Sequence, residues 1–253
     1  PEHRHFYNAQ LLRSGLVDFQ MSPFMYSQFR KMGEAGWAEN MFESPAMHGV
    51  MGILEADTST HLDTDKARKL SHIIPDNSRD ASMLLARDFG QVLARKAGIH
   101  WKDFNRQFYD YDYIQNTFSV FSHINQLPTT ANKLKSSVVM VGDFESLIYM
   151  CSRRWDKLYP QVVSELQTEL THSGTSFETI AFTDLEKDEA NQYQVYIFPN
   201  LFYVNEEKLN AVEKLKKQGK TLLFSYAPGY LTPTGRSLES MNCLLYTSDA
   251  ADE

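Results

Sequence analysis

The stretch His48-Gly-Val-Met-Gly-Ile-Leu-Glu-Ala-Asp-Thr-Ser-Thr-His-Leu-Asp63 decides how the first half of the chain is read. Val50, Met51, Ile53 and Leu54 form an apolar run that suits a buried or half-buried β-strand over residues 50–55. The run ends on Glu55. A carboxylate there costs free energy unless it is hydrogen-bonded or used, and in a parallel α/β barrel that end of a strand carries the catalytic groups. Two readings stand side by side: a catalytic acid, or a strand-terminal acid facing water. In the polar loop that follows, residues 56–65, the spacing of Asp57, His61, Asp63 and Asp65 matches no known metal-ligand pattern. No metal and no other cofactor is expected.

Upstream of this stretch, Phe6, Leu11 and Leu12 among polar neighbours predict a helix over 3–14 that stops at Gly15. Residues 16–21 read as a short strand, closed by Ser22 and Pro23. The long loop beyond contains Tyr26, Gly33, Gly36 and Trp37. Loops of that length in compact domains are functional or disordered, and the two aromatics favour function. Ser44, Pro45 and Met47 predict a brief helical turn.

Downstream, Asn77 or Ser78 caps a helix whose Ala81, Leu84, Leu85, Phe89, Val92 and Leu93 recur at helical spacing before Gly98 stops it. Residues 99–104 then read as a strand with Trp101 and Asp103 on one side, completing a βαβ unit. Trp101 at a strand end suits a sugar contact and plain packing equally. A mixed helical pattern covers 109–127, and Pro128-Thr-Thr-Ala-Asn-Lys-Leu-Lys135 has the polar character of a linker, so the domain boundary is placed there.

Beyond it, residues 138–141 open a new strand. Trp155, Leu158, Tyr159, Val162, Val163, Leu166 and Leu170 mark an amphipathic helix stopped by Gly174, with Pro160 best placed in its first turn. Strands over 177–182 and 193–198 flank an acidic turn at 184–189. Asn205 caps a further helix, with Glu206 and Glu207 in its first turn, Lys216 and Lys217 in its last and Gly219 beyond, charges that complement the helix dipole. A strand over 221–226 completes the order βαββαβ, a second, doubly wound α/β layer structure. After its first strand the chain reads Gly142-Asp-Phe-Glu-Ser146, not a turn that cradles phosphate. Cys151 lies at no strand-to-helix elbow and reads as a small buried hydrophobe.

The totals agree with a soluble globular protein of two domains. The 253 residues are 42% hydrophobic and 23% charged, and 25 basic against 32 acidic residues give a formal charge of −7. That balance argues against nucleic-acid or anionic-membrane partners and favours neutral or sugar-like ligands. Cys151 and Cys243 are the two cysteines, too few for a disulfide framework. No apolar run approaches the roughly 20 residues of a membrane span. The compartment is left open, with the cytoplasm slightly favoured.

The end of the sequence, Cys243-Leu-Leu-Tyr-Thr-Ser-Asp-Ala-Ala-Asp-Glu253, resembles a codon-by-codon translation of a transposon-based sequencing adapter. Residues 243–253 are therefore set apart as an artefact. Together with a start at Pro1, this leads to the expectation that the chain is an internal fragment of a longer protein of metagenomic type.

His48-Gly-Val-Met-Gly-Ile-Leu-Glu-Ala-Asp-Thr58, Gly98-Ile-His-Trp101, Tyr196-Ile-Phe-Pro-Asn-Leu-Phe-Tyr203 and Tyr226-Ala-Pro-Gly-Tyr230 together resemble glycoside hydrolase family 42, the β-galactosidase-like enzymes, over nearly all of residues 1–242. The resemblance implies the C-terminal part of a (β/α)8 TIM barrel over 1–127, a linker over 128–135, and a flavodoxin-like (class I glutamine amidotransferase-like) trimerisation domain over 136–242 that lacks a catalytic cysteine. It implies a retaining glycosidase of β-galactosides or related plant or algal sugars, and a homotrimer. Glu55 matches the family's nucleophile at the end of the seventh strand; 17–21 would be the sixth strand and 99–101 the eighth. The general acid/base, a Glu after the fourth strand, would lie upstream. Trp101 would stack on a sugar face, and Asp57, Asp103, His61 and Tyr26 would contact hydroxyls. The loop Ala56-Asp-Thr-Ser-Thr60 departs from the lactose-cleaving members. The alternative is a non-catalytic carbohydrate-binding or assembly protein on the same fold, and the fragment alone is expected to be inactive.

Overall fold

The computed structural model describes residues 8–39, 41–65, 73–127, 136–149 and 160–245. The expected linker at 128–135, Cys151 and the lead-in at 155–159 lie outside the described residues. The chain divides into two compact units, one spanning Val17–Leu134 and the other Lys135–Glu253 together with Pro1–Leu16. Helix α1 (Asn8–Arg13) ends before Gly15, whose φ of +66° suits a residue without a side chain. It belongs to the second of these units, where Arg13 pairs with Glu186 at 2.6 Å and donates to the Thr183 carbonyl.

The unit of Val17–Leu134 is built on three parallel strands in the order β1 (Phe19–Pro23), β2 (Met51–Ala56) and β3 (Gly98–Trp101). Between them run a short helix α2 (Glu43–Met47), a long helix α3 (Ser78–Arg95) and, after β3, helix α4 (Asp112–Gln126). The alternation of β2 explains its role. Leu54 and Ala56 are buried among Ala81, Leu85, Phe89, Val92 and Phe121 of α3 and α4. Gly52 shares that face, and a Cβ there would stand 2.6 Å from the Phe42 ring. Met51, Ile53 and Glu55 point to the opposite face, in register with Phe19, Met21 and Pro23 of β1. Among the described residues α3 and α4 pack on the other face, and the paired Phe19 and Met51 are 56% and 51% exposed.

The strands expected over 99–104, 193–198 and 221–226 are shorter, ending at Trp101, starting at Val195 and ending at Phe224, and two further boundaries move for a visible reason. Strand β1 begins at Phe19 rather than Leu16, because Met51 of its parallel partner first reaches back to the Asp18 carbonyl, and Leu16 stays exposed. Helix α3 stops before Gly98. Lys96 takes the left-handed conformation (φ +54°), and the amides of Lys96 and Ala97 close on Leu93 and Val92, which frees Gly98 to open β3.

In the second unit, β4 (Val138–Gly142), β5 (Phe177–Ala181), β6 (Val195–Phe198) and β7 (Thr221–Phe224) form a parallel sheet in the order β5-β4-β6-β7. Val139, Val141, Ile180, Tyr196 and Phe198 are buried on it. Helix α5 (Phe144–Tyr149) follows β4; a wide π-helical turn (Pro160–Glu165) leads into α6 (Leu166–His172), and α7 (Glu206–Lys217) links β6 to β7. The amphipathic segment expected to be one regular helix is thus underwound at its described start. Asn205 caps α7 by accepting from the Lys208 amide at 3.0 Å. The acidic segment between β5 and β6 forms two 3-10 turns. An unanticipated hairpin of β8 (Leu231–Thr232) and β9 (Gly235–Arg236) precedes α8 (Leu238–Leu245). Leu244, in the segment set apart above, is buried beside Gly229, where a Cβ would meet it at 2.5 Å.

Candidate active site

Glu55 closes the middle strand of the three-stranded sheet at its C-terminal end, with Pro23 and His100 as its register partners. Because it lies on the face away from the helices, its carboxylate avoids the apolar core and its side chain is 26% exposed. Lys102, one residue past β3, donates to Glu55 Oε1 at 2.8 Å. The same ammonium stands 4.7 Å from the centre of the Phe104 ring. Thus the acid is held in a fixed ion pair at the strand ends.

The loop after β2 is buried and stapled. Asp57 pairs with Arg30 at 2.6 Å, both side chains almost fully buried. Arg30 also donates to the Met25 and Phe24 carbonyls, and its guanidinium lies 4.2 Å from the centre of the Tyr26 ring. The Tyr26 hydroxyl donates to Asp57 at 3.3 Å, and burial, then the Asp57 charge, raises its pKa. One arginine therefore ties the long loop after β1 to the loop after β2. From α3, Arg87 donates to the carbonyls of Arg30, Lys31 and Glu34, and Gln91 to those of Ala35 and Gly36. The Thr58 hydroxyl donates to Asp88 at 2.5 Å, and that of Thr60 to the Phe108 carbonyl. The Tyr109 hydroxyl donates to the Thr58 carbonyl at 3.0 Å, and burial followed by the Asp88 charge lifts its pKa well above 10.

Among the residues expected to bind sugar, the structure brings Tyr26 and Asp57 together through Arg30. His61 meets Tyr111 edge-on, with ring centres 5.3 Å apart. Asp103 accepts the amides of Asn105 and Gln107. Trp101 packs against Tyr109, Phe118 and Phe121 on the helix side of the sheet, across it from Glu55. The sequence reading missed Arg30, Asp88, Lys102 and Phe104. A signal existed for Asp88, which falls within the apolar stripe of α3 between Leu85 and Phe89; Arg30, at the end of a 3-10 turn (Ser27–Arg30) inside the long loop, carried none. Among the described residues, no group of three His, Cys, Asp or Glu is arranged to hold a metal ion, and no helix is long and apolar enough to cross a membrane.

Asp88 yields a pH prediction. Burial raises its pKa above the ordinary 3.8, with the Arg87 charge and the Thr58 hydrogen bond opposing. Its contribution to stability is present below that ordinary value and is lost as pH rises through the folded-state value. Asp88→Asn removes this loss, so the stability of the variant relative to the parent is expected to climb as pH rises above about 4. Urea midpoints that shift in parallel across that range would contradict it.

No protein-family model matches the chain, and no curated protein matches it. Among solved structures it is similar to Gan42B, a GH42 beta-galactosidase from G. stearothermophilus, at 13% identity with a TM-score of 0.51, over 87% of this chain and 38% of that one. The beta-galactosidase from Rahnella sp. R3 is 14% identical over 92% of this chain and 32% of its own, with a TM-score of 0.41. That from Bifidobacterium adolescentis is 13% identical over 44% and 51%, at 0.34. The chain covers no more than 51% of the length of these structures. The likeness to Gan42B is one of fold: parallel strands and helices in a β-galactosidase-like arrangement.

Proposed function

We propose that this chain is the C-terminal part of a retaining glycosidase acting on β-galactosides or related sugars, with Glu55 as its nucleophile. The observation that carries the proposal is the placement of Glu55. It is a partly exposed carboxylate at the C-terminal end of the middle parallel strand, on the face opposite the one that the described helices α3 and α4 cover. In this reading the face of Glu55 is the interior of a (β/α)8 barrel, and the rest of the barrel precedes Pro1. The second unit is read as a flavodoxin-like trimerisation domain.

The chemistry follows from the two-carboxylate rule. A retaining enzyme sets its carboxyl groups about 5–5.5 Å apart. A Glu55 oxygen bonds to the anomeric carbon while the bond to the leaving oxygen breaks. That oxygen departs with the bonding pair and takes a proton from the second carboxyl group, which lies upstream in this proposal. Water, deprotonated by the same group, then releases the sugar and restores Glu55. Within this chain, Lys102 pairs with Glu55 when no sugar is bound, and the Arg30, Asp57, Tyr26 cluster keeps the adjoining loops rigid.

Treating the full-length enzyme with a 2-deoxy-2-fluoro-β-galactosyl fluoride is expected to attach the sugar to the peptide containing Glu55, with products keeping the substrate's anomeric configuration. A label on a different carboxylate, or inversion, overturns the assignment. Sugar binding with neither label nor turnover returns the chain to the non-catalytic alternative.

A further inference from the structure

We propose that Lys102 and Phe104 form a recognition wall for a sugar bearing an anionic group, a sulfate ester or a carboxylate, on the ring bound against Glu55. This rests on the glycosidase reading of Glu55. The geometry is compact: Lys102 Nζ lies 2.8 Å from Glu55 Oε1 and 4.7 Å from the Phe104 ring centre. Phe104 is 41% exposed, and its backbone is left-handed at φ +55°, followed by Asn105 and Gln107 at +59°. A phenylalanine in that region is strained and persists where its surroundings impose it. Here the Asp103 carboxylate imposes it by accepting the amides of Asn105 and Gln107. The strained turn presents an aromatic face beside the reactive carboxylate, where it can pack on the apolar face of a sugar ring.

Charge selects the kind of sugar. A cation 2.8 Å from a nucleophilic carboxylate draws on the electron pair that must attack, so Lys102 slows the reaction unless another anion takes it over. The neighbouring acids are committed elsewhere: Asp57 to Arg30, Asp65 to Arg106, Asp88 to Arg87 and Thr58, and Asp63 to Ser59. The Lys102 side chain is 36% exposed and within reach of a ligand. An anionic substituent can replace Glu55 as its partner, freeing the carboxylate to attack. Once the Glu55 oxygen is bonded to the anomeric carbon, and the leaving oxygen has departed with its electron pair and gained the acid's proton, Glu55 is a neutral ester. The substrate's anion then keeps Lys102 paired.

The test uses the full-length enzyme and three aryl glycosides, a β-galactoside, its 6-sulfate and a β-galacturonide, with calorimetric binding of the three corresponding free sugars. One anionic substrate is expected to exceed the neutral one in kcat/KM by about tenfold or more, as a charge-assisted hydrogen bond allows. Which one does so identifies sulfate or carboxylate, and Lys102→Met is expected to bring the ratio close to one. Equal or better turnover of the neutral galactoside, or a ratio that survives Lys102→Met, overturns the proposal and leaves Glu55 as nucleophile. If no glycoside is cleaved but an anionic sugar binds about tenfold tighter than galactose, the recognition wall stands and the glycosidase reading falls. If none is cleaved and the sugars bind alike, both fall.

Discussion

Glu55→Gln in the full-length enzyme is expected to lower kcat on an aryl β-galactoside by about a thousandfold or more, the scale on which loss of a nucleophile acts. Glutamine keeps the shape of the side chain but has no electron pair basic enough to displace the leaving group, so the first step is lost while binding is largely kept. The fold is expected to tolerate the change. Glu55 faces away from the core, and its pairing with a Lys102 side chain that is 36% exposed contributes about 0–1 kcal/mol to stability after solvent screening. Glu55→Gly separates a chemical role from a structural one. Azide can enter the vacated space and attack the anomeric carbon once, yielding the α-galactosyl azide with restored turnover. Near-parental activity in Glu55→Gln, or a Glu55→Gly enzyme that stays folded and silent with azide, would refute the nucleophile assignment.

The second large effect concerns the other unit. Lys208 of α7 is buried at the C-terminal ends of β4 and β6, donating to Asp143 at 2.7 Å, Glu145 at 2.9 Å and the Tyr203 carbonyl at 3.3 Å. Asp143 also accepts from Ser146, while its backbone exchanges hydrogen bonds with the Asn200 side chain. The Ser146 hydroxyl in turn accepts the Tyr203 amide. This network fills the point where the strand order turns back from β5 to β6, the place where open α/β sheets otherwise bind ligands. Lys208→Met strands the Asp143 carboxylate in a nearly dry site and is expected to cost about 3–5 kcal/mol. Hydrogen exchange over residues 138–146 and 195–204 reads that as a protection loss of about two to four orders of magnitude. Adding Asp143→Asn is expected to recover part of it, because the double variant leaves no buried charge unpaired, the Glu145 side chain being 43% exposed. Unchanged protection in Lys208→Met would show that the pair does not hold the unit together.

The elements legible in the sequence were those whose signals are local. The β2 strand, the Asn77 and Asn205 caps, the apolar stripe of α3 and the dipole-matched charges of α7 depend on residues within a turn or a strand of one another. Boundaries set by partners were less legible. The start of β1 depends on where β2 begins, and the end of α3 on a lysine accepting a left-handed conformation so that β3 can start at Gly98.

By itself, the sequence determined that an apolar strand ends in Glu55 and is followed by a helix and another strand, because period and capping act over a few residues. Tertiary structure alone decided what surrounds that acid. Lys102 reaches Glu55 across 47 positions and Thr58 reaches Asp88 across 30, and no short-range pattern encodes such pairings. It also decided which aromatic stands near the carboxylate. In strand pairing Trp101 lies opposite Ala56, so its ring goes to the helix side with the core, whereas the left-handed turn after β3 carries Phe104 to the Lys102 and Glu55 pair. Facing is set by register between strands, and register exists only once the chain has folded.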